Sequence, residues 1–587
     1  MTYTKTTTVV NNDVAVNGPE DDVLDWESVD WRRAENNVKR LRQRIFTASK
    51  AGDHKLVRNL QKLMLRCRSN TLISVRQVTQ RNAGRLTAGV DEKVALTPRA
   101  RAKLVVDVHC QQKPHAAPVR RVYIPKANGK QRPLGIPVIF DRVQQARVKN
   151  ALEPEWEAHF EPKSFGFRPG RGCHDAIEAI YQSSKGKGAK RLWVLDADLT
   201  AAFDRIDHNF LLDALSTFPA REMIAAWLKA GVIENRKFAP TEEGTPQGGV
   251  ISPLLLNIAL HGLEGAAGVR YRVKSATPTN MMPDSPVMVR YADDWLLLCH
   301  SRDQASQIKD RLADWLNLRG LSFNEDKTNI VSLSTGVDFL GFNIRRYGDK
   351  LFIKPSKPAL RKHRQRLRTE MKALHGCSGI EVIRRLNPII RGWSAYYRGV
   401  VSSEVFHSLD DYYWKLTYKW ATRSHPKKSK YWITAKYFGR FNRFRNDNWV
   451  FGDRESGAYL VKYSWTKIIR HTMVKGRSSP DDPTLKHYWQ QRRCKKSPPP
   501  MDMPTVLMLK TQGGRCPLCG DFLLHAEHQP QSPQEWELWM KTTRKAIAKR
   551  AVVFRETGKS DQIKNRLVHA HCQPRHIDGK SSAILHT

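Results

Sequence analysis

Apolar residues recur every three or four positions in "WRRAENNVKRLRQRIFTASKAGDHKLVRNLQKLMLRCRSNTLISVRQV", with Arg and Lys on the faces between them. That spacing predicts a pair of amphipathic helices over 26–78, with cationic faces in solvent or against a polyanion. From 117 to 140 β-branched and apolar residues surround "KANGK", the signal of a hairpin turn. Helical material follows, then a strand-like "RLWVLDADL", more helix, the loop "GTPQGGVISP" and the run "VMVRYADDWLLLCH". "VDFLGFNIRRYGDKLFIK" predicts a further short hairpin, and the mixed order predicts an α+β domain with one sheet. Past 356, "PALRKHRQRLRTEMKAL" and "IEVIRRLNPIIRGWSAYYRG" have the pattern of basic helices, while "KGRSSPDDP" and "KKSPPPMDMP" have the composition of linkers.

The doublet Asp293–Asp294 interrupts an apolar run. Two like charges in a buried strand would be costly, so "YADD" is expected to be a turn, either solvated or holding metal. The second strand decides between these. Asp196 and Asp198 alternate in "VLDADLTAAFDRIDH" and share one strand face. If that strand lies beside the hairpin, Asp198 meets Asp293. Clustered carboxylates repel unless a divalent cation stands between them, and hard oxygen donors suit Mg²⁺. Two such ions about 4 Å apart would activate a hydroxyl and neutralise a leaving pyrophosphate, which is nucleotidyl transfer.

Composition narrows the partner. The 587-residue chain is long enough for several domains, and its formal charge of +42 favours a phosphate-rich polyanion. No apolar stretch approaches the roughly 20 residues of a membrane span, and the first residues lack a signal pattern, so a cytoplasmic protein is expected. Nine scattered cysteines do not outline a disulfide framework. Only "CPLCG" has metal-site spacing; with the terminal cluster it nominates Cys516, Cys519, Cys572 and His576 as zinc ligands, His571 being an alternative fourth.

Taken in order, these blocks resemble a group II intron-encoded protein, a reverse transcriptase with maturase function. "RRVYIPKANGKQRPLGIP", "SFGFRPGRGCHDAI", "DADLTAAFDRIDH", "GTPQGGVISPLLLN", "RYADDW", "GLSFNEDKTNIV" and "VDFLGF" stand in family order. "TAGVD" at Thr87–Asp91 resembles the N-terminal extension, although Glu92 stands where Gly is usual. The resemblance implies a multidomain α+β architecture. A disordered 1–25 would precede a helical RNA-binding extension (26–110) and right-hand fingers and palm with an antiparallel sheet (111–350). A helical thumb/maturase domain (351–440), a DNA-binding region and linker (441–504), and a small zinc-stapled HNH-like endonuclease module (505–587) would follow.

The resemblance also implies roles. Asp198, Asp293 and Asp294 would hold two Mg²⁺ ions, Asp196 being the alternative on the same strand. Phe203 would crowd the sugar 2′ position and select dNTPs, or simply pack in the palm. Lys126 and Arg132 would grip the triphosphate. Gln247 would approach the nucleotide while Gly248 and Gly249 allow close backbone passage. Lys327 would aid the phosphates or brace the palm.

Lys427, Lys428 and Lys430, in a proline-broken cationic loop, would contact RNA, whereas most of Trp393, Tyr396, Tyr397 and Trp414 would pack a helical core. In the last module His528 would be the base, with Glu527 or His525 beside it, and His569 a metal ligand. There "HAEH" replaces the usual His-His pair, the spacer to the last histidine is long, and Asn565 sits one place off. The partners implied are intron RNA and target DNA, the latter bringing the ribonucleoprotein to the nucleoid. The functions implied are splicing assistance, target-primed cDNA synthesis and DNA nicking. The rivals are a maturase that has lost its polymerase or nuclease chemistry and a reverse transcriptase lineage serving defence.

Overall fold

The N-terminal periodicity resolves into three helices. α1 (Trp31–Lys50) starts at Asp30, whose carboxylate accepts from Arg33 N, and buries Val38, Ile45 and Phe46. α2 (His54–Arg66) is capped in the same way by Asp53, and α3 (Arg68–Arg76) follows at once. With α4 (Pro98–Cys110) they pack around α5 (Ile139–Glu157), which is buried along most of its length. The computed structural model describes residues 24–110, 116–125, 131–272, 280–495, 503–517, 523, 530–555, 562–569 and 585–586. The disorder expected of 1–25 therefore falls almost wholly outside the described residues.

Several sheets form where one was expected. β1 (Val119–Pro125) and β2 (Gln131–Ile136) pair antiparallel, with Pro125 opposite Gln131. Strand β1 also runs parallel to β4 (Val232–Glu234), which pairs with β5 (Lys237–Ala239) to complete a four-stranded fingers sheet. The β4–β5 hairpin escapes pattern reading because its strands are only three residues long. Its turn uses left-handed Asn235 and Arg236 rather than a glycine.

The palm sheet is four-stranded and wholly antiparallel. Its order is β8 (Asn329–Ser332), β3 (Trp193–Ala197), β7 (Asp294–Cys299), β6 (Val287–Tyr291). Alternate residues serve two cores: Leu297 and Cys299 face one, Leu296 and Leu298 the other. Burial on both faces explains why these strands read as unbroken apolar runs.

A three-stranded sheet, β9 (Val337–Phe339), β10 (Phe342–Tyr347) and β11 (Lys350–Pro355), leads into the thumb. After α6 (Cys173–Ser184), α7 (Ser252–Ala259) and α8 (Arg302–Asn317), the thumb helices are α9 (Lys357–Ala373), α10 (Gly379–Tyr397), α11 (Ser403–Ser424) and α12 (Lys430–Tyr437). Trp393, Tyr396 and Tyr397 are buried in their core and Trp414 packs on its margin.

The "KGRSSPDDP" stretch is not a free linker. Val474, Ser479, Asp481, Asp482 and Trp489 are buried as the chain crosses back over the palm to α1. Asp175 carries this strap: its carboxylate accepts from Val474 N (2.9 Å) and Arg492 Nη2 (3.0 Å), and His471 Nε2 lies 2.9 Å away. At the far end Arg42 Nη2 bridges Asp481 (2.7 Å) and Glu153 (2.8 Å). Composition suggested a linker, and distant arginines turn the polar run into packed structure.

Beyond the strap, α13 (Pro533–Ala546) lies along α10, with Arg366 paired to Glu537 at 2.6 Å. A ladder of Ile547–Arg555 with Gln562–His569 follows. No helix among the described residues is long and apolar enough to cross a membrane.

Candidate active site

The palm register gathers the acids. Asp196 stands opposite Leu296 and Ala197 opposite Trp295, so Asp198, the next residue, comes level with Asp294. β6 and β7 are joined only by Ala292 and Asp293, with Tyr291 opposite Asp294. Ala292 has φ +59°, the left-handed conformation that a tight two-residue hairpin needs at its first central position. The carboxylates thus collect where the ladder ends, on strands whose remainder is apolar.

Their electrostatics follow from crowding. Loss of surrounding water, then Asp293, Asp198 and Asp196, push Asp294 up to about 7. Burial, then Asp198 and Asp338, raise Asp196 to about 6. Asp293 is raised by burial and by Asp198, against the opposing charges of Arg132 and Lys327. Asp198 is the most engaged: its Oδ2 accepts from Lys327 Nζ at 2.6 Å and Asn324 Nδ2 at 3.3 Å. Its carbonyl accepts from Asn324 N at 2.8 Å.

Among the described residues no group of three His, Cys, Asp or Glu side chains stands ready to hold a metal ion. The positive charge on Asp198 is the ammonium of Lys327. Hard carboxylate oxygens that repel one another and draw in an ammonium nevertheless match the donor chemistry of Mg²⁺.

Of the residues expected on the nucleotide side, Arg132 lies near the acids. Arg132 is exposed on β2 and close enough to Asp293 to lower its pKa; Lys126 lies outside the described residues. Phe203 is half-buried in a short turn of helix, its ring 6.4 Å from Phe167. Gln247 Nε2 donates to Asp204 Oδ2 at 3.4 Å, next to Phe203. A Cβ on Gly248 would come 2.5 Å from Gly135 O, so "PQGG" passes directly against β2.

Lys327, left open between phosphates and palm, sits on Asp198 itself. Asn324 was not singled out, and nothing in a lone Asn marks it. Glu92, where Gly is usual, adopts a left-handed φ of +54°.

Other predicted residues lie apart from the acids. Lys427, Lys428 and Lys430 are exposed at the α11–α12 junction, Lys428 Nζ being 5.4 Å from the Trp432 ring. In the last module Cys516 is buried, and His569 ends the strand opposite Ile547. Cys519, His525, Glu527, His528, His571, Cys572 and His576 lie outside the described residues.

Comparison with known proteins joins these observations. Residues 124–344 match the family described as reverse transcriptase (RNA-dependent DNA polymerase), and residues 26–108 the N-terminal domain of reverse transcriptase. Residues 360–438 match the group II intron maturase-specific domain. The chain is 35% identical to Protein YkfC of Escherichia coli K12, covering 47% of this chain and 82% of that one. It is 32% identical to group II intron-encoded protein LtrA of Lactococcus lactis subsp. cremoris over 39% of this chain, but spans only 47% of LtrA. Maturase-like protein 1 of Euglena gracilis is 26% identical, over 63% of this chain and 76% of that protein. The chain belongs to the reverse transcriptase family, in the part of it that carries a group II intron maturase domain.

Proposed function

We propose that this RNA-directed DNA polymerase works as a group II intron protein, binding its intron RNA, assisting splicing and extending a nicked DNA end into cDNA. Asp198, Asp293 and Asp294 are the residues that would hold Mg²⁺, which when bound activates the primer hydroxyl and neutralises the departing pyrophosphate. Lys327, paired with Asp198, offsets part of the repulsion among the three carboxylates. Lys126 and Arg132 grip the triphosphate from the fingers hairpin, Gln247 steadies the base-sugar unit, and Phe203 excludes a 2′-hydroxyl. Lys427, Lys428 and Lys430 hold RNA phosphates on the thumb.

In the last module Cys516, Cys519, Cys572 and His576 would hold Zn²⁺, with His528 and His569 acting in DNA nicking. That part rests on sequence order alone. The observation that carries the polymerase reading is the sheet register that levels Asp198 with Asp294 across about a hundred residues of chain. Primer extension on an RNA template tests it. The parent chain extends the primer and Asp293→Asn does not, while both retain RNA binding. A parent chain inert on primed RNA would overturn the reading.

A further inference from the structure

Three residues from separate blocks converge behind the turn that carries the aspartates. Arg290, the residue before Tyr291, is 2% exposed, and Asn257 in the helix Ser252–Ala259 is 1% exposed. Arg290 Nη1 donates to Asn257 Oδ1 at 3.0 Å and to Ala292 O at 3.4 Å. Asn257 Nδ2 donates to Gly166 O at 2.9 Å. A Cβ on Gly166 would overlap the Ala292 backbone nitrogen. The Gly166 segment is itself laced to β6: Phe165 N donates to Arg290 O (2.9 Å) and Arg290 N to Lys163 O (3.0 Å).

A buried Arg and Asn are costly even with Glu161 Oε2 3.9 Å from Arg290 Nη2, and apolar residues of similar volume pack such sites at least as well. Here the polar atoms are spent on the two ends of one residue. The Ala292 carbonyl is held by Arg290, and its amide lies against Gly166, which Asn257 fastens. Ala292 is the non-glycine residue with φ +59°. Left-handed backbone is strained at a residue that carries a Cβ and persists only where surroundings impose it. The peptide leaving Ala292 sets the direction of Asp293 and Asp294.

We propose that Arg290 and Asn257, with Gly166, form a cradle that positions the Asp293–Asp294 turn for cation binding and catalysis, so that both side chains are positioning residues. This rests on the reading of those aspartates given above. A displacement of about 1 Å at a reacting group costs on the order of 100-fold in rate, so the cradle acts on turnover and cation affinity more than on dNTP binding.

The test is Asn257→Leu, which removes both hydrogen bonds while leaving Glu161 3.9 Å from Arg290 Nη2, alongside Arg290→Lys, which keeps a cation facing Glu161. Folding is checked by thermal melting. Folded Asn257→Leu shows kcat for primer extension lowered roughly 10- to 100-fold. Its KM for dNTP stays within about threefold, because the fingers residues proposed to grip the triphosphate are unchanged. Mn²⁺ affinity of the protein alone, read by electron paramagnetic resonance, falls by a similar 10- to 100-fold. Arg290→Lys, retaining one donor, falls between parent and Asn257→Leu. If Asn257→Leu does not fold, Arg290→Lys alone must show the lowered kcat and Mn²⁺ affinity. Folded variants with parental kcat and Mn²⁺ affinity overturn the proposal, as does a kcat loss with unchanged Mn²⁺ affinity. If the parent chain extends no primer, the polymerase reading fails and the Mn²⁺ titration alone decides the cradle.

Discussion

Gly392→Ala sets two effects of opposite sign against each other on one helix. Gly392 lies inside α10, where replacing Gly by Ala in an exposed helix interior would add about 1 kcal/mol of stability. The position is not exposed, because α13 crosses it. An added methyl would lie 2.8 Å from Pro533 O, 2.9 Å from Glu537 N and 3.1 Å from Glu537 Cβ. The first two are backbone atoms and cannot swing aside as a side-chain tip would, so α13 has to move as a unit. Overpacking of this kind costs about 1–3 kcal/mol. Part of that cost falls on the pair of Arg366 with Glu537, a buried residue whose carboxylate is held at 2.6 Å.

The gain belongs to α10 and the cost to the α10–α13 contact, so different observables report them. Hydrogen exchange followed by mass spectrometry should show faster exchange across 533–546 by about 5- to 30-fold, the range for 1–2 kcal/mol of local destabilisation. Peptides from α10 itself should keep or gain protection. Gly265→Ala is the control, since nothing lies within 4 Å of a Cβ built there. Unchanged protection of 533–546 together with a higher melting temperature would refute the close packing of α13 on Gly392.

Two further outcomes follow from single residues. Glu92→Gly removes a non-glycine side chain from φ +54° and should raise stability by up to about 1 kcal/mol, read as a higher melting temperature; a fall would refute it. Burial and Glu161 push Glu264 up to about 7 from an ordinary 4.5, so the folded state holds its proton longer than the unfolded chain. Stability is therefore lost as pH rises from about 4.5 through 7, even with Lys163, Arg290 and the Tyr271 hydroxyl facing the carboxyl. Glu264→Gln should melt progressively higher relative to the parent between pH 5 and pH 8, and a constant difference would sink the assignment.

Local patterning determined a good deal by itself. The alternation in "VLDADL" and the acid doublet in "YADD" announced strands ending in carboxylates, because strand periodicity decides which face a side chain takes. The apolar spacing that buries Trp393, Tyr396 and Tyr397 was equally local. Contacts between distant segments leave no periodic trace. Lys327 on Asp198 spans 129 residues of chain, Arg42 on Asp481 spans 439, and Arg290 on Asn257 spans 33. Each replaces a solvated polar group with a paired one, so composition read Asp481 and its neighbours as linker and gave Asn257 no mark. The left-handed turn at Asn235–Arg236 is likewise set by the sheet that closes around it. Which residues carry charge was written in the chain; which of those charges meet, and what holds them together, depended on the packing that brought remote segments into contact.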